Sequence, residues 1–330
     1  FFFKQKTAYE IVDCDWSSDV CSSDLEKIPY LGTTILRWRA GNSTFLALPE
    51  HGARLMNWNL VLGDGSVRDI LFWPELGDLG NFAAVRGGNP ILFPFAGRTF
   101  LDGEPGHWRT ADGARRPMPR HGLARQGTFA LSRLDGRGFA ARFVPGDEAR
   151  AAYPFDYDFT VTYRFEPLGF TCEFTLQNLG LVPLPWSPGH HFYFTVPWNE
   201  GTARADYLIR IPATKHLRHD PTGQLVAAVG PSTETTLSDP ALLELLHTGL
   251  RGNEAVFGEQ GRPGDIAIRL GTEKKPPADS TFVTWTESAN SPFYCVEPWM
   301  GLPGAATHGR GLQLVPPAQT RNFVVSVAVR

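Results

Sequence analysis

The stretch that most constrains the fold lies between residues 154 and 177, where apolar and polar side chains alternate. The apolar members are Phe155, Tyr157, Phe159, Val161, Tyr163 and Phe165, followed by Phe170, Cys172, Phe174 and Leu176. Successive side chains of a strand point to opposite faces, so this period predicts two strands with one dry face and one wet face. Pro167 and Gly169 lie between the two runs and mark the turn of an antiparallel hairpin.

Shorter alternating runs recur along the rest of the chain. They cover residues 44–48, 127–131, 139–144, 207–211, 266–270, 281–285, 293–297 and 323–329. The chain contains 34 Gly and 27 Pro, and so many turn-forming residues suit short strands joined by tight turns. The pattern predicts an all-β protein, built as a large antiparallel β-sandwich or a barrel-like variant of one.

Helix-forming patterns are scarce. The one candidate covers residues 240–247, where Asp239 can cap an Ala-Leu-Leu-Glu-Leu-Leu run. We therefore expect very little helix in the fold.

The first 25 residues differ in character from the rest of the chain. They have no sustained periodicity and closely resemble translated sequencing-adapter read-through. They do not resemble a signal peptide, because Asp13 follows directly after the apolar pair Ile11 and Val12. We expect residues 1–25 to be a non-native, disordered extension, and residues 26–330 to form a single domain with no internal repeat or linker.

Charge and cysteine usage restrict the partners. Of the 34 acidic and 31 basic side chains, five acids and two lysines lie in residues 1–25, so the remainder is formally neutral. A neutral domain has no field to recruit nucleic acid or an anionic membrane, and no apolar run is long enough to cross a bilayer. Only Cys172 and Cys295 remain in residues 26–330. Two distant cysteines indicate neither a disulfide scaffold nor a zinc knuckle, and they favour a reduced, cytoplasmic setting.

Two adjacent histidines stand at the start of an aromatic strand in residues 187–194, which read Ser-Pro-Gly-His-His-Phe-Tyr-Phe. Strand geometry places His191 and Tyr193 on one face and His190 on the other. One imidazole can then line a cleft while its neighbour lies in the interior. Since an imidazole titrates near neutral pH, His191 is a candidate acid or base. The alternative is that both are ordinary strand-end residues.

Two loops carry further polar residues. Residues 86–98 contain Arg86, Asn89 and Arg98 around two glycines and two prolines, which favours a rigid path where backbone approaches a ligand closely. Residues 119–125 place His121 beside Gly122 and end at Arg125. Such a histidine can hydrogen-bond a sugar hydroxyl. The structural alternatives are a buried crossover strand for the first loop and a simple loop cap for the second.

A single acid, Glu297, ends the apolar strand of residues 293–297, next to Pro298 and Trp299. A carboxylate on an apolar strand is partly desolvated, which raises its pKa toward the range useful to a general base. A solvated strand-end glutamate is the alternative.

Four motifs in order carry a family resemblance: Gly-Gly-Asn-Pro-Ile-Leu-Phe-Pro-Phe-Ala-Gly-Arg at 87–98, Arg-His-Gly-Leu-Ala-Arg at 120–125, Gly-His-His-Phe-Tyr-Phe at 189–194 and Val-Glu-Pro-Trp at 296–299. Together they are similar to the aldose 1-epimerase, or galactose-mutarotase-like, family. The resemblance implies a sugar cleft on the concave sheet of a β-sandwich. It also implies Glu297 as general base, His191 as general acid, and His121 and Arg98 as sugar-binding residues.

The resemblance further implies an isomerase that interconverts the α and β anomers of an aldose without metal or cofactor. The other expected substrate contacts are Asn89, Arg86, Arg125, Tyr193 and Trp299, and Phe95 is a further apolar surface for the ring. A small-molecule sugar is the expected partner of a monomer or homodimer. Two departures from the family pattern, Asn253 in place of an Asp and Pro317-Ala318 in the last loop, suggest an altered sugar preference and cleft wall.

Three other functions are compatible with parts of the pattern. Arg86 and Arg125 resemble arginines that hold phosphate, as in a hexose-6-phosphate mutarotase, but Phe-Pro-Phe-Ala-Gly-Arg at 93–98 is closer to the free-sugar branch. A non-catalytic carbohydrate-binding module could use the same sandwich. A cupin-like metalloprotein is disfavoured because His190 and His191 point to opposite faces.

Overall fold

A computed structural model describes residues 25–220 and 222–330. The prediction for the N-terminal extension therefore lies outside the described residues, except that Leu25 begins the first strand. Two large antiparallel sheets face each other, and the predicted all-β sandwich is confirmed.

The first sheet has thirteen strands. Its main path, in spatial order, is β1 (Leu25–Tyr30), β2 (Thr33–Ala40), β3 (Ser43–Leu48), β4 (Arg54–Val61), β5 (Val67–Leu71), β17 (Phe192–Thr195), β26 (Phe293–Trp299), β25 (Thr281–Trp285), β22 (Leu245–Thr248), β19 (Lys215–His219) and β20 (Leu225–Ala227). Two short strands, β16 (Gly189–His190) and β6 (Ile91–Leu92), join it beside β26.

The second sheet has nine strands. In spatial order they are β11 (Thr128–Asp135), β12 (Gly138–Val144), β13 (Tyr157–Glu166), β14 (Gly169–Asn178), β28 (Thr320–Val329), β24 (Ile266–Leu270), β23 (Glu254–Glu259), β18 (Tyr207–Arg210) and β21 (Glu234–Thr236). Three two-stranded ribbons complete the β-structure: β7 (Phe100–Leu101) with β8 (Glu104–Pro105), β9 (His107–Arg109) with β10 (Arg115–Pro117), and β15 (Leu184–Trp186) with β27 (Gln313–Val315).

Helical structure in the described residues is short. The α-helices are α1 (Asp147–Ala152) and α2 (Ala305–His308), and the 3-10 helices are Leu79–Ala84, Ala124–Gln126, Arg204–Asp206 and Pro240–Leu242. No helix in 25–220 or 222–330 has the length and apolar character needed to span a membrane.

The alternating stretch that opened the sequence analysis forms the hairpin β13–β14, as predicted. Its dry face is aromatic and packs between the two sheets: Phe159 stacks on Phe93 with ring centroids 3.8 Å apart, and Phe165 stacks on Phe45 at 4.4 Å. Phe45 lies on β3 of the first sheet and Phe93 follows β6, so these contacts join the sheets through one core. Burial of such large apolar side chains is the main favourable term in folding.

The predicted helix at 240–247 is wrong. Asp239 does cap a helical turn, accepting a hydrogen bond from the Ala241 amide at 2.8 Å, but the turn ends at Leu242. Glu244 then adopts a left-handed backbone (φ 51°) and the chain continues as β22, which pairs with β25. Sheet pairing of this apolar run outweighs its local helix propensity because it buries both Leu245 and Leu246.

Strand register brings the two central candidate residues together. Phe192 on β17 lies opposite Val296 on β26. In an antiparallel pair the next residues along, His191 and Glu297, are then neighbours on the opposite face. Stacking of His191 on Tyr193 and of His190 on Phe192 confirms that the two histidines point to opposite faces.

We predict that Gly88→Ala disrupts the loop of residues 86–98. Gly88 has φ 62°, and a Cβ there would lie 2.1 Å from the Leu55 carbonyl oxygen. A denaturant titration should show a loss well above the roughly 1–2 kcal/mol that a left-handed backbone alone costs a non-glycine residue.

Gly113→Ala is the matched control, because Gly113 has φ 86° but a Cβ there meets nothing within 4 Å. Its loss should be limited to the backbone strain. Equal losses in the two variants would contradict the steric argument.

Candidate active site

A cleft of about 640 Å³ opens on one face of the first sheet. Its volume lies within the ordinary range for small-molecule sites. Lining side chains include most of those predicted from sequence: Glu297, His191, His121, Arg86, Arg98, Arg125, Tyr193 and Trp299. These side chains come from strands β17 and β26 and from the two loops before them, so the fold gathers residues that lie more than two hundred positions apart in sequence.

Glu297 and His191 meet in the cleft. The Nε2 atom of His191 lies 3.5 Å from Oε1 of Glu297, and the residues are only 7% and 2% exposed. Burial raises the pKa of Glu297 well above 4.5, and nearby Trp299 and the positive charge of Arg120 offset this only in part. Burial, followed by the charges of Arg125, Arg54 and Arg86, holds the pKa of His191 well below 6.5.

These opposite shifts favour a pair that carries one proton, placed on Glu297, beside a neutral His191. The proton can reside on the carboxyl group with neutral imidazole, or on the imidazole beside a carboxylate. Oε2 of Glu297 is buried and has no hydrogen-bond partner among the described residues. The pair can therefore take a proton from one atom of a ligand and give one to another without changing its total charge.

His121 is oriented by Gly97 in the other loop. Its amide donates to the Gly97 carbonyl at 2.7 Å, and its Nδ1 accepts from the Gly97 amide at 3.2 Å. Burial, together with the nearby His191 and arginine charges, holds the pKa of His121 well below 6.5. A neutral ring whose Nδ1 accepts must carry its proton on Nε2, which leaves an N–H donor for a ligand oxygen. The ring lies 5.3 Å from that of His191 and 5.9 Å from that of Trp299.

One side of the cleft is formed by Arg86, Tyr193 and Trp285, and side-chain contacts hold these residues in place. Arg86 donates from Nε to Glu287 at 3.1 Å, and its guanidinium lies 5.1 Å from the centre of the Trp285 ring. The His191 ring stacks on Tyr193 with centroids 4.6 Å apart and meets Trp285 edge-on at 5.8 Å. This packing fixes the imidazole plane next to Glu297.

Positive charge dominates the polar lining. Arg98, Arg120 and Arg125 line the cleft with Arg86, and burial followed by neighbouring arginine charges lowers the pKa of Arg120 and of Arg125. Because all four guanidinium groups line the same cleft, it offers concentrated positive charge to an anionic ligand.

Asn89 does not reach the cleft. It is fully buried, its Nδ2 donates to the Tyr163 hydroxyl at 2.7 Å and contacts Nδ1 of His190 at 2.9 Å, and its Oδ1 accepts from the His191 amide at 3.2 Å. The expectation of a substrate contact is corrected to a position behind the site. The His191 side chain points toward the cleft. Asn89 therefore contacts only the backbone amide of His191, together with the His190 ring on the other face of the strand.

Two other expectations are corrected by position. Phe95 is 1% exposed and packs on Trp108 and Tyr153 in the core, so it offers the cleft no surface. Asn253, directly before β23, donates to the carbonyls of Leu270 and Glu273 beside the inner strands β23 and β24 of the second sheet, and it does not line the cleft.

The Pro317-Ala318 departure likewise lies elsewhere. Ala318 donates its amide to the Asn178 carbonyl at 3.1 Å, in the turn between β27 and β28. This turn does not line the cleft, so the two residues leave its wall unaffected.

Sequence reasoning missed Arg120 and Trp285 as cleft residues. Arg120 lies in the quoted motif at 120–125, and its position directly before His121 was a usable signal. Trp285 is the last residue of β25, and Glu297 lies near the end of β26. Only the register between β25 and β26 shows that these two side chains share a face of the sheet. Among the described residues, no group of three or more His, Cys, Asp or Glu side chains could hold a metal ion.

Comparison with known proteins agrees with this architecture. The aldose 1-epimerase family model matches residues 34–254. Protein LacX (chromosomal) from Lactococcus lactis subsp. lactis is 23% identical over 242 residues, which cover 70% of this chain and 79% of LacX. The crystal structure of a galactose mutarotase-like protein from Clostridium acetobutylicum aligns with a TM-score of 0.74 at 18% identity, covering 93% of this chain and 98% of that one.

A galactose mutarotase-related enzyme from Lactobacillus acidophilus aligns similarly, with a TM-score of 0.73, 18% identity and coverage of 90% and 97%. Both structures share the β-sandwich fold of this chain. Since the family model spans more than half of the sequence, the chain belongs to the aldose 1-epimerase family. Membership indicates a function of the sugar epimerase type.

We predict that Glu297→Gln stabilises the folded protein at pH 8 relative to wild type. The pKa of Glu297 is raised in the folded state, so its contribution to stability is fully present below the unfolded value of 4.5 and is lost as pH rises through the folded value. Removing the titration should make the stability difference largest at pH 8 and smallest at pH 4 in denaturant titrations.

Glu254→Gln serves as the control, because Arg269 and Arg330 hold that carboxylate on the second sheet. This variant should be no more stable than wild type at pH 8. A pH-independent stability difference for Glu297→Gln would contradict the burial argument.

Proposed function

We propose that this protein interconverts the α and β anomers of an aldose by acid–base opening and closure of the ring. The Glu297 carboxylate accepts the proton of the anomeric hydroxyl while the His191 imidazolium donates its proton to the ring oxygen. The C1–O bond to the ring oxygen breaks, and C1 becomes an aldehyde. After rotation about the C1–C2 bond, the two proton transfers run in reverse and the other anomer closes.

One observation carries the proposal: the 3.5 Å approach of His191 Nε2 to Glu297 Oε1 on the wall of a ligand-sized cleft. The anomeric and ring oxygens share one carbon, so their acid and base must also be close neighbours. Each half-reaction moves one proton onto Glu297 and one off His191, or the reverse. The pair therefore keeps a single proton throughout: the proton is on His191 in the reactive ion pair and on Glu297 in the ring-opened state, which is the placement that the opposite pKa shifts favour.

Other lining residues suit a bound pyranose. Trp299 lines the cleft, and its apolar ring suits the C–H face of a sugar ring. The Nε2–H of His121 and the guanidinium of Arg98 supply donors for hydroxyl oxygens. In this proposal Tyr193 supports His191 by stacking and contacts the sugar at its hydroxyl end.

We predict that Glu297→Gln lowers kcat for anomer exchange by about 10²–10⁴-fold, the usual contribution of a general base. Exchange between the anomers of glucose and of galactose can be measured by polarimetry or by NMR saturation transfer. Sugar affinity should change little, because the amide retains the shape of the carboxyl group. Glu254→Gln on the second sheet should keep the wild-type rate.

The same measurement separates an enzyme from a binding module. A module predicts that sugar binds while wild type and Glu297→Gln exchange anomers at the uncatalysed rate. That outcome would overturn the proposed activity and leave only carbohydrate binding.

A phosphorylated aldose is a second candidate substrate, favoured by the arginines of the cleft. Arg98, Arg120 and Arg125 make no salt bridge within the described residues. Guanidinium groups bind phosphate oxygens through paired, charge-assisted hydrogen bonds. A formally neutral domain that concentrates unpaired positive charge in one cleft is suited to an anionic ligand.

We predict that Arg125→Met raises KM for glucose 6-phosphate about 10- to 100-fold, since hydrogen bonds to charged groups contribute roughly 1.5–3 kcal/mol. KM for glucose should change by less than threefold. Anomer exchange of both sugars by wild type and variant decides between the substrates. Equal effects on glucose and glucose 6-phosphate would exclude a phosphate contact by Arg125.

A further inference from the structure

Arg54, at the start of β4, is a buried cation outside the cleft lining. Its side chain is 1% exposed, and no carboxylate lies within salt-bridge distance of it among the described residues. Burial, with smaller effects from nearby Tyr193, Arg125 and Tyr163, lowers its pKa to about 9, so it remains charged at neutral pH. Burying a charge without an ionic partner is costly, and such a residue needs a reason beyond stability.

The guanidinium of Arg54 joins the two loops that carry the cleft's polar groups. Nη1 donates to the Gly87 carbonyl at 3.0 Å, and Nη2 donates to the Arg125 carbonyl at 3.1 Å. Gly87 lies between Arg86 and Asn89, whereas Arg125 closes the segment that begins with His121. One planar group therefore sets the separation of two segments almost forty residues apart in sequence.

Aromatic packing holds this guanidinium in place. Its central carbon lies 4.5 Å from the centre of the Phe82 ring, in the 3-10 helix Leu79–Ala84, and the His51 ring meets Phe82 edge-on at 5.3 Å. A cation above a ring face is stabilised by the ring quadrupole, most strongly where water is excluded. The Phe82 contact thus replaces part of the missing ionic partner.

The loops that Arg54 joins lead directly to the reacting pair. Asn89 donates its amide to the Leu55 carbonyl next to Arg54 and accepts the His191 amide through Oδ1. His121 reaches Gly97 and the His191 ring from the second loop. A shift of either loop would therefore move a donor or the imidazole relative to the substrate.

We propose that Arg54 is a positioning residue for the reaction: it holds the Arg86–Asn89 and His121–Arg125 segments in the relative placement that catalysis requires, without contacting the sugar. This inference rests on the proposed anomer exchange at Glu297 and His191. It differs from a purely structural role, which would affect folding stability alone.

Arg68 offers a matched control. It is also buried (6% exposed), donates to a single backbone carbonyl, that of Gly264, at 3.0 Å, and lies 4.4 Å from the centre of the Trp198 ring. Gly264 lies between β23 and β24 of the second sheet, away from the cleft. Arg68→Met therefore removes a comparable set of contacts without touching either loop.

The experiment compares Arg54→Met, Arg54→Lys and Arg68→Met in the full chain, by denaturant unfolding and by kcat/KM for exchange of the best sugar. We expect Arg54→Met to lose about 10²-fold in kcat/KM, the effect of roughly 1 Å of misplacement in an active site. Arg54→Lys should recover part of this loss, because an ammonium keeps the charge but cannot span both carbonyls. Arg68→Met should lose stability and retain kcat/KM within about twofold of wild type.

Retention of wild-type kcat/KM by a folded Arg54→Met variant would overturn the proposal. If that variant does not fold, Arg54→Lys decides: a partial loss in kcat/KM at near-wild-type stability supports positioning, and an unchanged kcat/KM overturns it. Amide hydrogen exchange at Asn89 and His121 is an independent measurement. Faster exchange at both amides in the Arg54 variants, but not in Arg68→Met, is the expected result.

Failure of the proposed function gives a different outcome. If wild type exchanges no anomers, the proposed catalysis is wrong, and the amide exchange alone then tests Arg54. Unchanged amide hydrogen exchange at Asn89 and His121 would overturn the role of Arg54 in holding the two loops. Faster amide hydrogen exchange at both residues would support that role.

Discussion

The alternation of side chains along one strand determines how interior and cleft are divided. His190 lies in the core against Phe174 and Phe192, while His191 faces the cleft and stacks on Tyr193. A one-residue change of register would exchange the two imidazoles, burying the reactive one and exposing the packed one. The aromatic core between the sheets prevents that change, because every large side chain on the dry face would have to leave its site.

Electrostatics in the cleft follow from this division. Glu297 and His191 are almost fully buried at the bottom of the cleft, so they lose water and their pKa values move toward each other's range. Arginines around the rim supply positive charge that favours ionised Glu297 and opposes protonated His191. A carboxyl and an imidazole that share one proton in such a field can serve as acid and base in turn. Burial that is unfavourable for folding thus prepares the pair for proton transfer.

The sequence predicted much of the fold and most of the site. Hairpin β13–β14 was evident because ten apolar residues keep period 2, and the meeting of Glu297 with His191 was expected from motifs that match the family. The position of Asn89 was predicted wrongly because the motif shows that the residue belongs near the site but not which way its side chain points. The side chain points away from the cleft and accepts a hydrogen bond from the His191 amide. Residues 240–247 were misassigned because local propensity could not anticipate the pairing of β22 with β25.

By itself, the sequence determined the all-β class, the hairpin, the opposite faces of the two histidines and the family, because these depend on local period and on motifs. Only the tertiary structure decided that Arg120 and Trp285 line the cleft, that Phe95 and Asn253 do not, and that Arg54 joins two loops. Those facts depend on contacts between residues far apart in the chain. Such contacts arise when sheets pair and pack, and no local pattern specifies their geometry.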